Sequence, residues 1–106
     1  MDYRLYEKHA AAYLRNDQCE VLVENYRHSR TQIDVVARKN GILIVAEVKY
    51  RRHGGLPEEL ISRGQKERIH REIGPLMVKY HCNEWQLLLF FYRARSFVPE
   101  IIALEC

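Results

Sequence analysis

Cysteine, proline and glycine are all scarce here: three, three and five in 106 residues. Cys19, Cys82 and Cys106 are odd in number and show no C-x-x-C spacing, which argues against a disulfide framework. His81 and Cys82 are adjacent, a spacing that does not suit two ligands of one tetrahedral zinc. Free thiols in a reducing compartment are expected. No stretch approaches the roughly 20 apolar residues of a membrane span. The opening MDYRLYEKHAAAYL is charged and helix-patterned, without an apolar signal core. These absences read as a cytoplasmic protein with no membrane partner. Repeats, low-complexity tracts and linkers are also lacking, so residues 1–106 read as a single domain with one core.

What is present is ordinary in bulk and uneven in placement. Apolar residues make up 47% and charged ones 29%, as in soluble globular proteins. The net charge is only +3, yet seven of the seventeen Lys and Arg fall between residues 49 and 71. That run (Lys49, Arg51, Arg52, Arg63, Lys66, Arg68, Arg71) suits a phosphate-binding surface. With Glu58, Glu59, Glu67 and Glu72 interspersed, it also suits a solvated helix face.

The periodicity predicts the order α-β-β-β-α-β-β, an α/β fold in which helices flank a mixed sheet. Asp2 can cap a first helix to about Asn16, with Tyr6, Ala10, Tyr13 and Leu14 along one stripe. EVLVENYR (20–27), TQIDVVAR (31–38) and ILIVAEVKY (42–50) read as strands, the last two joined by Asn40-Gly41, a strong hairpin signal. A glycine-containing loop, RHGGLPEE, follows. Ser62-Arg63-Gly64-Gln65 fits a capping box opening a second helix with Ile69, Ile73 and Met77 on one stripe. Gly74-Pro75 is expected to kink or break that helix before it resumes to about His81. WQLLLFFYR (85–93) reads as a strand covered on both faces, and FVPEIIAL (97–104), carrying Pro99, as an edge strand. Trp85 and the tyrosines read as core and strand residues. His9, His28, His53 and His70 show no ligand or triad spacing.

The charges within VAEVKYRR (45–52) need a reason, because a half-buried strand rarely carries unpartnered charge. A two-residue turn at Asn40-Gly41 puts Lys39 opposite Ile42 and Asp34 opposite Glu47. Ile33, Val35 and Ala37 then share an apolar face with Val48, Ala46 and Ile44, while Gln32, Asp34, Val36 and Arg38 share the other with Lys49, Glu47, Val45 and Leu43. Lys49 lies about 7 Å along the strand from Glu47, on the same face. Facing carboxylates repel unless one is protonated, a cation neutralises them, or a metal sits between them. Converging carboxylate oxygens suit a hard cation such as Mg²⁺, and a neighbouring ammonium can stabilise charge on a phosphate. A salt-bridged Asp-Glu-Lys cluster on an exposed sheet face is the structural alternative.

Asp34 followed by Glu47-Val48-Lys49 on the next strand resembles the PD-(D/E)xK nuclease superfamily. The run NYRHSRTQIDVVARKNGILIVAEVKYRR, with YEKHAAAYL upstream and ISRGQKERIHR downstream, resembles its YraN-like branch over about residues 5 to 73. That branch is related to Holliday-junction resolvases. The resemblance implies a restriction-endonuclease-like core and a Mg²⁺ or Mn²⁺ ion held by Asp34, Glu47 and the backbone carbonyl of Val48. It implies Lys49 as catalytic lysine and Glu7 as the first-helix glutamate that completes such sites. Glu7 is equally well explained as a solvated carboxylate near a helix start. Gln65 and Lys66 fall where the family has a Lys-Gln pair, in reversed order, and Gln65 also suits a plain capping role. The superfamily's proline is absent, Ser29-Arg30-Thr31-Gln32 replaces the usual glycine-containing bend, and QLLLFFYR lacks the usual aspartate. The implied function is a metal-dependent DNA endonuclease acting on branched DNA or ends. Arg51, Arg52, Arg63, Lys66 and Arg68 would grip the backbone, and a homodimer would present two sites. A non-catalytic nucleic-acid-binding module with the same fold is the alternative.

Overall fold

The Asn40-Gly41 pair turns the chain as its residue types allow. In the computed structural model, which describes residues 3–52 and 60–105, Asn40 has φ 51° and Gly41 φ 76°. Two positive values in succession are what a type I′ hairpin turn needs. Strands β2 (Thr31–Lys39) and β3 (Ile42–Arg51) leave the turn antiparallel, paired from Lys39 with Ile42 through Val35 with Ala46. The expected register therefore holds over these pairs.

β1 (Glu20–His28) pairs antiparallel with β2, with a bulge between Val21 and Val23. On the other side β3 runs parallel to β4 (Glu84–Arg93), in register from Ile42 with Glu84 to Arg51 with Arg93. β5 (Glu100–Glu105) pairs antiparallel with β4 and forms the far edge of a five-stranded sheet ordered β1-β2-β3-β4-β5. A parallel pair needs a crossover, and α2 (Arg63–Lys79) supplies it. The mixed sheet with its two helices has the architecture of a restriction-endonuclease-like core, in the order α-β-β-β-α-β-β.

The two helices hold opposite faces of the sheet. A helix of 14 residues such as α1 (Tyr3–Asn16) is marginal alone, so its stability comes from the face it buries. Tyr6, Ala10, Ala11 and Leu14 pack on Val35, Ala37, Ile44, Ala46, Val48, Tyr50, Phe90 and Tyr92. Tyr6 stacks on Tyr50 with ring centroids 5.0 Å apart. α2 lays Ile69, Ile73 and Leu76 on the other face, against Ile33, Val36, Leu43, Val45 and Leu87. β4 contributes to both clusters, which accounts for its nearly unbroken apolar sequence.

Several expectations are corrected. α2 runs unbroken through Gly74 and Pro75, both exposed, while Ile73 and Leu76 on either side are buried. A proline that faces water loses one backbone bond, but packing on the opposite side holds the helix together. Tyr13 is 43% exposed and Ala11 takes its place in the α1 core, because i, i+4, i+5 and i+8 from Tyr6 face the sheet. β5 begins after Pro99, so the proline precedes the edge strand instead of lying within it. Asp2 and residues 53–59 of the expected glycine-containing loop lie outside the described residues.

The most consequential correction is at Asp34. The β2–β3 ladder stops at Val35 with Ala46, short of the expected pairs Asp34 with Glu47 and Ile33 with Val48. Ile33 packs with Val36 on the α2 side, while Val35 faces α1, so the alternation of β2 breaks at Asp34. The partner strand breaks at the matching position: Asn25, between the Glu24–Val35 and Tyr26–Ile33 pairs, has φ 56°. Asparagine tolerates that left-handed backbone better than most residues.

Candidate active site

The interrupted ladder is where the acidic residues meet. Asp34 Oδ2 accepts a hydrogen bond from the backbone N–H of Val48 at 2.7 Å. The side chain thus takes a donor that an uninterrupted ladder would give to a carbonyl, and Asp34 is fixed beside β3. Glu47 is 3% exposed and Asp34 9%. Burial first, and then the negative charge of Asp34, push the Glu47 carboxyl up from the usual range to about 9, against the opposing pull of Lys49. Asp34 is also raised, by burial first, with the Val48 N–H working against that.

α2 reaches this pair through its cap. Ser62, with extended backbone (φ −70°, ψ 160°), accepts from the N–H of Gln65 at 3.1 Å. The helix so started places Gln65, Ile69, Glu72, Ile73 and Leu76 on its sheet side at i, i+4, i+7, i+8 and i+11. Gln65 Nε2 donates to Glu47 Oε2 at 3.1 Å. The other oxygen, Glu47 Oε1, is buried with no hydrogen-bond partner among the described residues while both carboxyls are ionised, and a proton on Glu47 lets it bond Asp34. An orphaned carboxylate oxygen is costly, and a bound cation is one standard remedy.

These groups open to solvent. Asp34, Glu47, Val48, Lys49 and Gln65 line one depression of about 240 Å³, together with Tyr3, Gln32, Tyr50 and Arg51. Lys49 is partly exposed and makes no ion pair within the described residues, although its charge acts on both carboxylates. The donor set fits Mg²⁺ or Mn²⁺: two carboxylates from adjacent strands, one orphaned oxygen and open space for waters or phosphate oxygens. The set is small. Among the described residues no three His, Cys, Asp or Glu side chains gather to hold a metal.

The remaining expected site residues are placed unevenly. Glu7 is partly buried on α1 and does not line the depression. Arg51 lines it, and Arg52 is exposed immediately after β3. Arg63 is exposed and pairs with Glu67 at 3.2 Å. Lys66 is partly exposed on α2, and Arg68 lines a second depression. Gln65 both receives the cap and contacts Glu47, so the two roles read from the sequence coexist.

One cluster was missed. Glu72, 7% exposed, accepts from the Tyr26 hydroxyl and pairs with His28 Nδ1 at 2.8 Å. Two signals pointed to it: an acid in the buried stripe of α2, and Tyr26 and His28 alternating on β1.

Comparison with known proteins supplies the family. Residues 6–91 match the profile of the uncharacterised protein family UPF0102. A UPF0102 protein of Lachnoclostridium phytofermentans is 45% identical over 65 residues, 59% of this chain and 55% of that protein. One from Dictyoglomus turgidum is 38% identical over 78 residues, covering 72% and 65%. One from Desulfitobacterium hafniense is 32% identical over 103 residues, covering 94% and 77%. The chain thus spans little more than half the length of some relatives and most of others. No described helix is long and apolar enough to cross a membrane. With most of its length matched, the chain belongs to family UPF0102, the YraN-like family with a nuclease fold.

Proposed function

We propose that the protein is a divalent-metal-dependent nuclease that hydrolyses DNA phosphodiester bonds. The observation that carries this reading is the buried Asp34–Glu47 pair, with one orphaned oxygen, opening beside Lys49. Asp34, Glu47 and the Val48 carbonyl would hold Mg²⁺ or Mn²⁺, which when bound supplies Lewis-acid charge and lowers the pKa of water. Two carboxylates leave room for further oxygen ligands, as is usual for Mg²⁺ at phosphates.

The chain's own residues have distinct tasks in this reading. Gln65 holds one oxygen of Glu47 and so orients the other. The Val48 N–H holds Asp34. Lys49 stands on the Glu47 face of β3, where its ammonium can orient an attacking water and stabilise charge on the phosphate. Arg51, on the rim, offers a charge to a neighbouring phosphate. So small a domain has little surface for reading bases, which favours recognition of backbone shape, ends or branches. The second reading, a nucleic-acid-binding module that does not cut, draws its support from the small donor set.

Cleavage of single strands, duplex ends, flaps and four-way junctions in Mg²⁺ and Mn²⁺ tests the proposal. Wild type should cut at least one substrate, with Asp34→Asn and Lys49→Ala slower by ~10²-fold or more, as for loss of a transition-state charge partner. Equal rates for all three folded proteins, or no cutting of any substrate, would favour the binding module.

A further inference from the structure

A second depression, of about 460 Å³, lies beyond the acidic one along β2 and α2. The two are neighbours: Gln32 and Gln65 line the first, while Thr31, Gly64 and Arg68 line the second. Thr31 Oγ1 donates to the Arg68 carbonyl at 3.4 Å, tying the start of β2 to α2 between them.

The charges of this second depression are unbalanced in a specific way. Arg30, Arg68 and Arg71 all line it, and none forms an ion pair among the described residues. Its two acids are already engaged, Glu67 by Arg63 and Glu72 by His28 and Tyr26. Arg68 folds back over Gly64, with Nη1 3.4 Å from where a Cβ would stand. Glu72 is the buried foundation of the wall: it grips one ring nitrogen of His28 and leaves the rest of that side chain 70% exposed. Three guanidiniums against two carboxylates, each of the acids already partnered, leave the hollow a positive excess that favours an anion. Arginine's planar fork matches phosphate oxygens better than it matches chloride or water.

We infer that this hollow seats a backbone phosphate of a nucleic-acid strand, two or three nucleotides along from the phosphate that enters the Asp34–Glu47 site. Thr31 stands three residues from Asp34 on β2, about 10 Å at the usual strand rise, a span that two or three nucleotides of one strand can bridge. Arg30, Arg68 and Arg71 bind, beside the exposed ring of His28 that Glu72 holds in place. The inference rests on the nucleic-acid part of the proposed function and is independent of cleavage.

The test is equilibrium binding of short labelled single strands and duplexes by fluorescence anisotropy in EDTA, across a salt series. Arg68→Ala and Arg71→Ala should each weaken binding ~10-fold at fixed salt and flatten the log–log salt slope by about 0.7 to 0.9. Arg68→Lys, which keeps the charge and loses the fork, should fall between. Arg15→Ala, a remote arginine paired with Glu24 at 3.2 Å, should bind as wild type does. Unchanged affinity and slope in the folded Arg68 and Arg71 variants would overturn the inference. So would saturable binding of inorganic phosphate or a nucleoside monophosphate, lost in Arg68→Ala, by a protein that binds no strand; the hollow would then serve a free phosphate compound. Cleavage does not enter: a wild type that never cuts, with arginine variants that bind poorly, supports the hollow and sinks only the nuclease.

Discussion

Replacing Glu47 by glutamine is expected to raise the stability of the protein in EDTA at pH 8 and to change it little at pH 5. Glu47 is almost completely buried and its carboxyl is raised from 4.5 to about 9. A group whose folded pKa is raised adds its full stabilisation below the unfolded pKa and loses it as pH climbs to the folded value. The relevant window is therefore about 4.5 to 9. At 1.36 kcal/mol per unit the full shift sets a ceiling of about 6 kcal/mol at its top. Local relaxation and water entry reduce such penalties, so on the order of 2–3 kcal/mol is expected at pH 8. Glutamine escapes it, because its carbonyl can still accept from Gln65 Nε2 while its amide can face Asp34. Thermal melts followed by circular dichroism should place Glu47→Gln roughly 10 °C above wild type at pH 8, and within a few degrees at pH 5. Adding Mg²⁺ should close most of the gap at pH 8: ligand at 100 times its Kd contributes about 2.7 kcal/mol to wild type and much less to the variant. A variant that melts below wild type at pH 8 in EDTA, or whose advantage is the same at both pH values, would refute the account of a strained, proton-hungry pair.

Two further predictions concern α2. Ser62→Ala removes the acceptor for the Gln65 N–H and should cost ~1 kcal/mol in urea unfolding, with a larger proportional loss of Mg²⁺-induced stabilisation because Gln65 is no longer fixed against Glu47. Pro75→Ala restores a backbone donor in an exposed stretch of helix and should stabilise by ~1–3 kcal/mol in the same assay without changing DNA binding. An unchanged or lower urea midpoint for Pro75→Ala would mean that the helix has adapted to its proline.

The hairpin was legible because three signals agreed: Asn40-Gly41, the apolar alternation on both sides, and a register that sorted every side chain between 35 and 46. Beyond Val35 the same logic failed by one residue. Alternation assumes that backbone pairs with backbone, and it cannot register a side chain that takes over a backbone donor, as Asp34 does at Val48. The Asp34–Glu47–Lys49 grouping survived that error, since Asp34 stays next to β3 whichever way Ile33 turns. Pro75 departs from its expectation because intrinsic propensity does not say which side of a helix faces water. Local spacing marks Glu72 and His28 each on its own element, but their partnership spans 44 residues and no spacing joins the two. The Glu47–Gln65 contact was foreshadowed only by the cap at Ser62, which set where the first turn of α2 would point.

The long parallel pairing of β3 with β4 gives the final third of the chain a task it cannot perform with its own chemistry. On one side β3 loses its ladder where the acids lie; on the other it stays in register with β4 from Ile42 to Arg51. Glu47, Val48 and Lys49 are thus held against Leu89, Phe90 and Phe91 like marks against a ruler, with the slack confined to the Asp34 side. Substitutions that shrink Phe90 or Phe91 would blur the spacing of the acidic and basic groups without touching either. A strand that supplies no residue of the proposed site would in that way control how sharply its neighbour is aimed.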